Sequence, residues 1–232
     1  MPITISWIQS ETRGKDPAPL DATVSYGFQF GDPMCVGPWI FPGRTKPPNI
    51  ALEDATPRWA HNHGGIDLKQ TDLDLTVQGR DTSAVNLLRA RVVDLTRTPL
   101  QSGAIVEKPG CGGETKGRFL HTSLGDKHPL IVEFDDKSSR LKKNDTLSYF
   151  VTNSDTENFN IVAFSDTSDS KTRKPCQCIT HWKIALDWAY HDRSGTLIID
   201  DHGKPFETAE GGPPENYVWD PDSGHLTLFH DS

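Results

Sequence analysis

The residues best equipped for chemistry are few and widely spaced. His61 and His63 lie in the stretch Trp59-Ala60-His61-Asn62-His63-Gly64-Gly65. On an extended backbone, side chains two apart point the same way, so both imidazoles could bind one metal ion. Asp67 or Cys35 would then complete the ligand set. A surface loop is the competing reading, because a metal centre needs third and fourth ligands that spacing alone does not place. The letters His-Asn-His do not make the nuclease motif of that name, whose residues are spread over a longer ββα unit.

The four cysteines are Cys35, Cys111, Cys176 and Cys178. Cys176 and Cys178 flank Gln177, one residue closer than the usual zinc-knuckle spacing. Cys111, in a Gly-Cys-Gly-Gly turn, could approach them and form a thiol cluster. Such a cluster would be buried free thiols, a disulfide or a metal clip. A reactive thiolate there would need positive neighbours, and Lys171, Arg173 and Lys174 are near in sequence.

Asp200, Asp201 and His202 hold acid–base groups, but a turn after a strand uses the same residue types. There an Asp caps backbone amides and Gly203 takes a positive φ. Trp182 and Trp188 offer ligand stacking or, at period two, a core face. The glycine pairs at 110–113 and 211–212 lack the Gly-Lys-Ser/Thr of a phosphate loop, and no Gly-x-Ser-x-Gly elbow is present. The residues name no cofactor.

These groups must be held by strands. Residues 179–190 alternate Trp182, Ile184, Leu186, Trp188 and Tyr190 with His181, Lys183, Ala185, Asp187 and Ala189. That period puts the aromatics on one face. Further runs lie at 66–68, 73–77, 117–124, 130–134, 147–151, 159–164 and 197–199, with turn chemistry between them. Residues 84–95 fit either a helical stripe or a strand with a bulge, and the neighbouring strands favour strand. Turns every 8 to 14 residues predict an all-β fold, an immunoglobulin-like or jelly-roll antiparallel β-sandwich.

Composition sorts the chain into zones. Nine of its 17 prolines fall in the first 60 of 232 residues, which argues against a helical bundle. Residues 1–65 therefore read as an extended, Pro-rich segment packed on a β-sandwich body at 66–208. Residues 209–232 hold five acids and no Lys or Arg, and form an acidic hairpin or tail.

The net charge is -8, from 24 basic and 32 acidic side chains. An acidic chain repels phosphate backbones, so direct nucleic-acid binding is not expected. The densest basic group, Lys137, Arg140, Lys142 and Lys143, reads as a solvated turn. No apolar run has the roughly 20 residues of a membrane helix. No signal peptide is visible, so the expectation is a cytoplasmic protein that does not contact membrane.

Three stretches resemble a family of uncharacterised actinomycete-type bacterial β-modules. They are Leu-Thr-Val-Gln-Gly-Arg at 75–80 leading into Ala84, Val85 and Asn86; Pro99 and Leu100 with Gly110, Cys111, Gly112 and Gly113; and 182–188 followed by Gly195, Thr196, Leu197 and 200–206. Some similar proteins carry the module after a helix-turn-helix domain, which implies an accessory or sensory role in regulation. Residues 1–65 hold no recognition helix, so DNA binding is not carried over. The leading expectation is a non-enzymatic module binding a protein partner or small ligand. The alternatives are a metal-dependent enzyme using His61, His63 and a carboxylate, and a structural subunit of a larger bacterial or phage-like assembly. Oligomeric state is not encoded in any of these patterns.

Overall fold

The computed structural model describes residues 17–27, 38–51, 54–107, 118–135, 140–141, 146–165, 176–211, 216–219 and 226–228. The elements in chain order begin with β1 (Leu20–Tyr26), β2 (Trp39–Pro42), α1 (Pro57–Asn62), β3 (Ile66–Leu68), β4 (Gln70–Gly79) and β5 (Val85–Pro99). Next come β6 (Gly103–Glu107), β7 (Arg118–Ser123), β8 (Leu130–Asp135), β9 (Arg140–Leu141), β10 (Tyr149–Val151) and β11 (Thr156–Phe164). The last are β12 (Cys178–Tyr190), β13 (Arg193–Ile199), β14 (Phe206–Glu210), β15 (Asn216–Trp219) and β16 (Leu226–Leu228).

The protein is all-β, as the turn spacing predicts. The strands follow one hydrogen-bonded path, β1-β4-β11-β7-β8-β5-β12-β14-β3-β2-β6-β15-β16, with β10 beside β5, β13 beside β12 and β9 beside β8. Short ladders on β8 join its two halves, to β7 at Leu120↔Glu133 and to β5 at Ala90↔Ile131. The sheet is mixed, which corrects the purely antiparallel expectation. β11 runs parallel to β7, β14 to β3 and β15 to β6. Parallel neighbours need long connections. Each of these pairs joins strands far apart in sequence, a relation that local turn spacing does not record.

Both halves of the path feed the largest core. Leu73, Leu75 and Val77 of β4 and Phe159 and Ile161 of β11 share it with Val85 and Leu87 of β5 and with Trp182, Ile184, Leu186 and Trp188 of β12. The period-two aromatics are therefore core, and Trp182 is fully enclosed. Within 84–95, residues 85–95 form strand, with register shifts opposite His181/Lys183 and Asp187/Trp188 that match the bulged reading.

The N-terminal zone supplies structural members of the sheet. β1 pairs with β4 along its whole length, and β2 lies between β3 and β6 with Trp39, Ile40 and Phe41 buried. At the other end, β15 and β16 form a hairpin that lies parallel on β6 through β15. Among the described residues no helix is long and apolar enough to cross a membrane.

Candidate functional site

One cleft gathers chemistry-bearing side chains from four separate parts of the chain. Its volume is about 320 Å³, and its walls include Tyr26, His61, Ile66, Asp201, Lys204 and Glu207.

The segment carrying His61 is a helix, contrary to the extended backbone expected there. Thr56 caps it, its hydroxyl oxygen accepting from the Trp59 N–H at 3.2 Å, and Pro57 fills the first turn, where its missing N–H is not needed. Past His63, Gly64 has φ +82°. The N–H of Gly65 then donates to the Ala60 carbonyl and that of Gly64 to the His61 carbonyl. This left-handed closure stops the helix after two turns. Ala60 and Trp59 pack on Trp39 and Phe41 of β2, which fixes the helix on the sheet.

On a helix, residues two apart face nearly opposite ways, so His61 and His63 diverge. His61 Nε2 donates to Asp67 Oδ1 at 3.1 Å, and its ring meets that of Tyr26 edge-on at 3.9 Å. His63 turns away, its Nδ1–H donating to the Trp59 carbonyl at 2.8 Å while its ring lies over Trp59. The structure thus joins His61 with Asp67 but not with His63. Among the described residues no group of three or more His, Cys, Asp or Glu is placed to hold a metal ion. Cys35 lies outside the described residues.

Asp67 is held by its place on β3, whose parallel pairing with β14 sets it opposite Thr208 and one residue from Glu207. Tyr26 ends β1 opposite Leu73, and the next N–H, of Gly27, donates to the Asp72 carbonyl. The third wall is the 200–205 excursion. β13 and β14 both pair with the same edge of β12, ending and starting at Ile184 and Trp182. The six intervening residues therefore bulge outward opposite Lys183. Asp200 secures this loop by accepting from the Gly203 N–H at 2.8 Å and from Lys183 Nζ at 2.9 Å. His202 (φ +54°) and Gly203 (φ +87°) make its tip, so Gly203 has the positive φ expected of it. Asp201 faces the cleft, where Oδ2 accepts from the Tyr26 hydroxyl at 3.3 Å and Oδ1 from His202 Nδ1 at 2.8 Å.

The electrostatics are one-sided. Burial, then the charges of Asp201 and Asp67, push the Tyr26 phenol well above its ordinary range, with Glu207 adding to the effect. Tyr26 therefore stays a neutral donor. Behind it, burial pushes the Asp72 carboxyl up to about 6, opposed by the Gln70 amide and reinforced by Asp67. Glu207 is oriented by His181, whose Nδ1 donates to it at 3.1 Å while Nε2 meets the Thr98 hydroxyl. His61 Nδ1 is buried and has no hydrogen-bond partner. The arrangement offers fixed acceptors, a phenol and aromatic edges to a small molecule.

The other sequence candidates fall elsewhere. Cys176 and Cys178 are disulfide-bonded to each other, and Cys111 lies outside the described residues. So do Lys171, Arg173 and Lys174, as well as Lys137, Lys142, Lys143 and the glycines at 110–113. Tyr26 and Glu207 were not legible as site residues, because each looks like an ordinary strand residue until β1, α1 and β14 meet. Comparison of the chain with protein-family models, curated proteins and solved structures found no match.

Proposed function

We propose that this protein is a binding module that takes a small polar molecule in the Tyr26–His61–Asp201–Glu207 cleft. The observation that carries this reading is that Asp201 and Glu207 line one cleft with Tyr26 while Asp67 stands behind His61, each carboxylate bonded to its own histidine. Fixed carboxylates at a half-enclosed site favour ligands that present N–H or O–H donors, above all an ammonium or guanidinium group. Lys204, exposed at the edge of the cleft, adds a donor for an acceptor on the same ligand. An accessory or sensory role in bacterial regulation, in the cytoplasm, is the setting we propose for it, in keeping with the resemblance of residues 66–208.

The test is ligand-detected NMR and thermal shift with guanidinium, methylammonium, glucose and acetate as probes. Guanidinium or methylammonium should bind the native protein, and Asp201→Asn should weaken that binding by about tenfold, the size of one charge-assisted hydrogen bond. Equal binding of acetate, or no change in Asp201→Asn, would remove this reading.

A further inference from the structure

Cys176 and Cys178 stand where the chain enters β12, with their sulfurs bonded and their Cα atoms 5.3 Å apart. Cys176 is exposed, whereas Cys178 is 7% exposed and belongs to the inward face of the strand. The Gln177 side chain lies so close to Gly211 that a Cβ added there would come within 2.9 Å of it.

This bond does little for the fold. A crosslink stabilises mainly by restricting the unfolded chain, and the effect shrinks with the loop it closes. Here the linked residues are two apart in sequence. The backbone at Gln177 and Cys178 is already fixed. Leu100 N–H donates to the Gln177 carbonyl at 2.9 Å, and Cys178 pairs with Pro99 on one side and Glu210 on the other. A disulfide that is redundant for structure and open at one residue is suited to exchange, since access governs attack by an incoming thiolate.

We propose that Cys176 and Cys178 form a redox-active pair that exchanges electrons with dithiols, independently of the cleft. A thiolate of the external dithiol attacks Cys176 Sγ and forms a mixed disulfide. The Cys176–Cys178 bond breaks, its electron pair leaves on Cys178 Sγ, and that sulfur takes a proton. The second thiol of the dithiol, as thiolate, attacks its partner sulfur in the mixed disulfide and releases Cys176 as a thiolate, which is protonated. Two electrons and two protons pass to the protein, and the dithiol departs as a disulfide. An oxidised dithiol runs the same steps in reverse.

The experiment uses the full chain, acid-quenched, alkylated under denaturing conditions and mapped by peptide mass. Air-equilibrated protein should show Cys176 linked to Cys178. In mixtures of reduced and oxidised dithiothreitol it should gain two alkylatable thiols at these positions in one two-electron step, with near- and far-ultraviolet circular dichroism unchanged. The protein should accelerate reduction of insulin by dithiothreitol, and that acceleration should be lost in Cys176→Ser and kept in Cys111→Ser. Free thiols at 176 and 178 after air equilibration, a bond to Cys35 or Cys111, or unfolding on reduction would overturn the proposal. So would an insulin rate that the protein leaves unchanged, or one that Cys176→Ser preserves or Cys111→Ser abolishes. The titration and the spectra use the native sequence, so they decide the matter even where a variant fails to fold.

Discussion

Asp72 shows how one buried carboxyl sets a stability cost. Its carboxyl rises from 3.8 to about 6 because burial disfavours the charge, and the nearby charge of Asp67 adds to this. The folded state thus holds the proton more tightly than the unfolded chain. The stabilising contribution is full below pH 3.8 and is lost as pH rises through about 6. At pH 7 the shift corresponds to about 3 kcal/mol of destabilisation. Asp72→Asn should therefore raise stability at pH 7 by up to that amount, with the gain vanishing near pH 4. Urea unfolding at the two pH values checks this, and an equal effect at both would contradict it. At the same scale, His61 was legible as a polar group with a purpose, and its partner only as one of two alternatives. Asp67 was only one of two candidate ligands by spacing, and Tyr26 carried no signal beyond strand alternation.

Two glycines separate conformational cost from steric cost at the scale of an element. Gly203 forms the tip of the 200–205 loop at φ +87°, with open space where a Cβ would go. Gly203→Ala should cost about 1–2 kcal/mol through the left-handed backbone alone. It should also weaken probe binding, because the same loop carries Asp201 and Lys204. Gly195 sits across from Trp188 on β13, and a Cβ there would lie 2.5 Å from the indole. Gly195→Ala forces the buried ring to move, at a cost of about 1–3 kcal/mol, and should leave the cleft unaffected. Denaturation midpoints together with guanidinium titration distinguish the two. The Gly203 turn could be read from Asp-Asp-His-Gly. The helix at 57–62 carries local signals of its own, Thr-Pro at its start and Gly-Gly just past its end.

For the whole molecule, the N-terminal zone decides integrity. β1 covers the edge of β4, and β2 bridges β3 and β6, with Trp39, Ile40 and Phe41 at 1% exposure or less. Removing residues 1–50 should unfold the chain rather than free a stable body at 66–208. Loss of the native near-ultraviolet circular dichroism signal and rapid proteolysis in the truncated chain are the expected readouts, and a cooperative unfolding transition in it would contradict the prediction. Proline-rich composition suggested a wrap because prolines report where regular hydrogen bonding stops. They do not report which short strand between two stops is inserted into a sheet. Sequence by itself determined the β class, the inward face of β12 and the turn at Gly203, because period-two patterning and turn chemistry act over a few residues. Only the tertiary structure decided the parallel pairings and the meeting of Tyr26, Asp67, Asp201 and Glu207. Those depend on which distant strands share an edge, and that choice is made by burying the whole apolar surface at once.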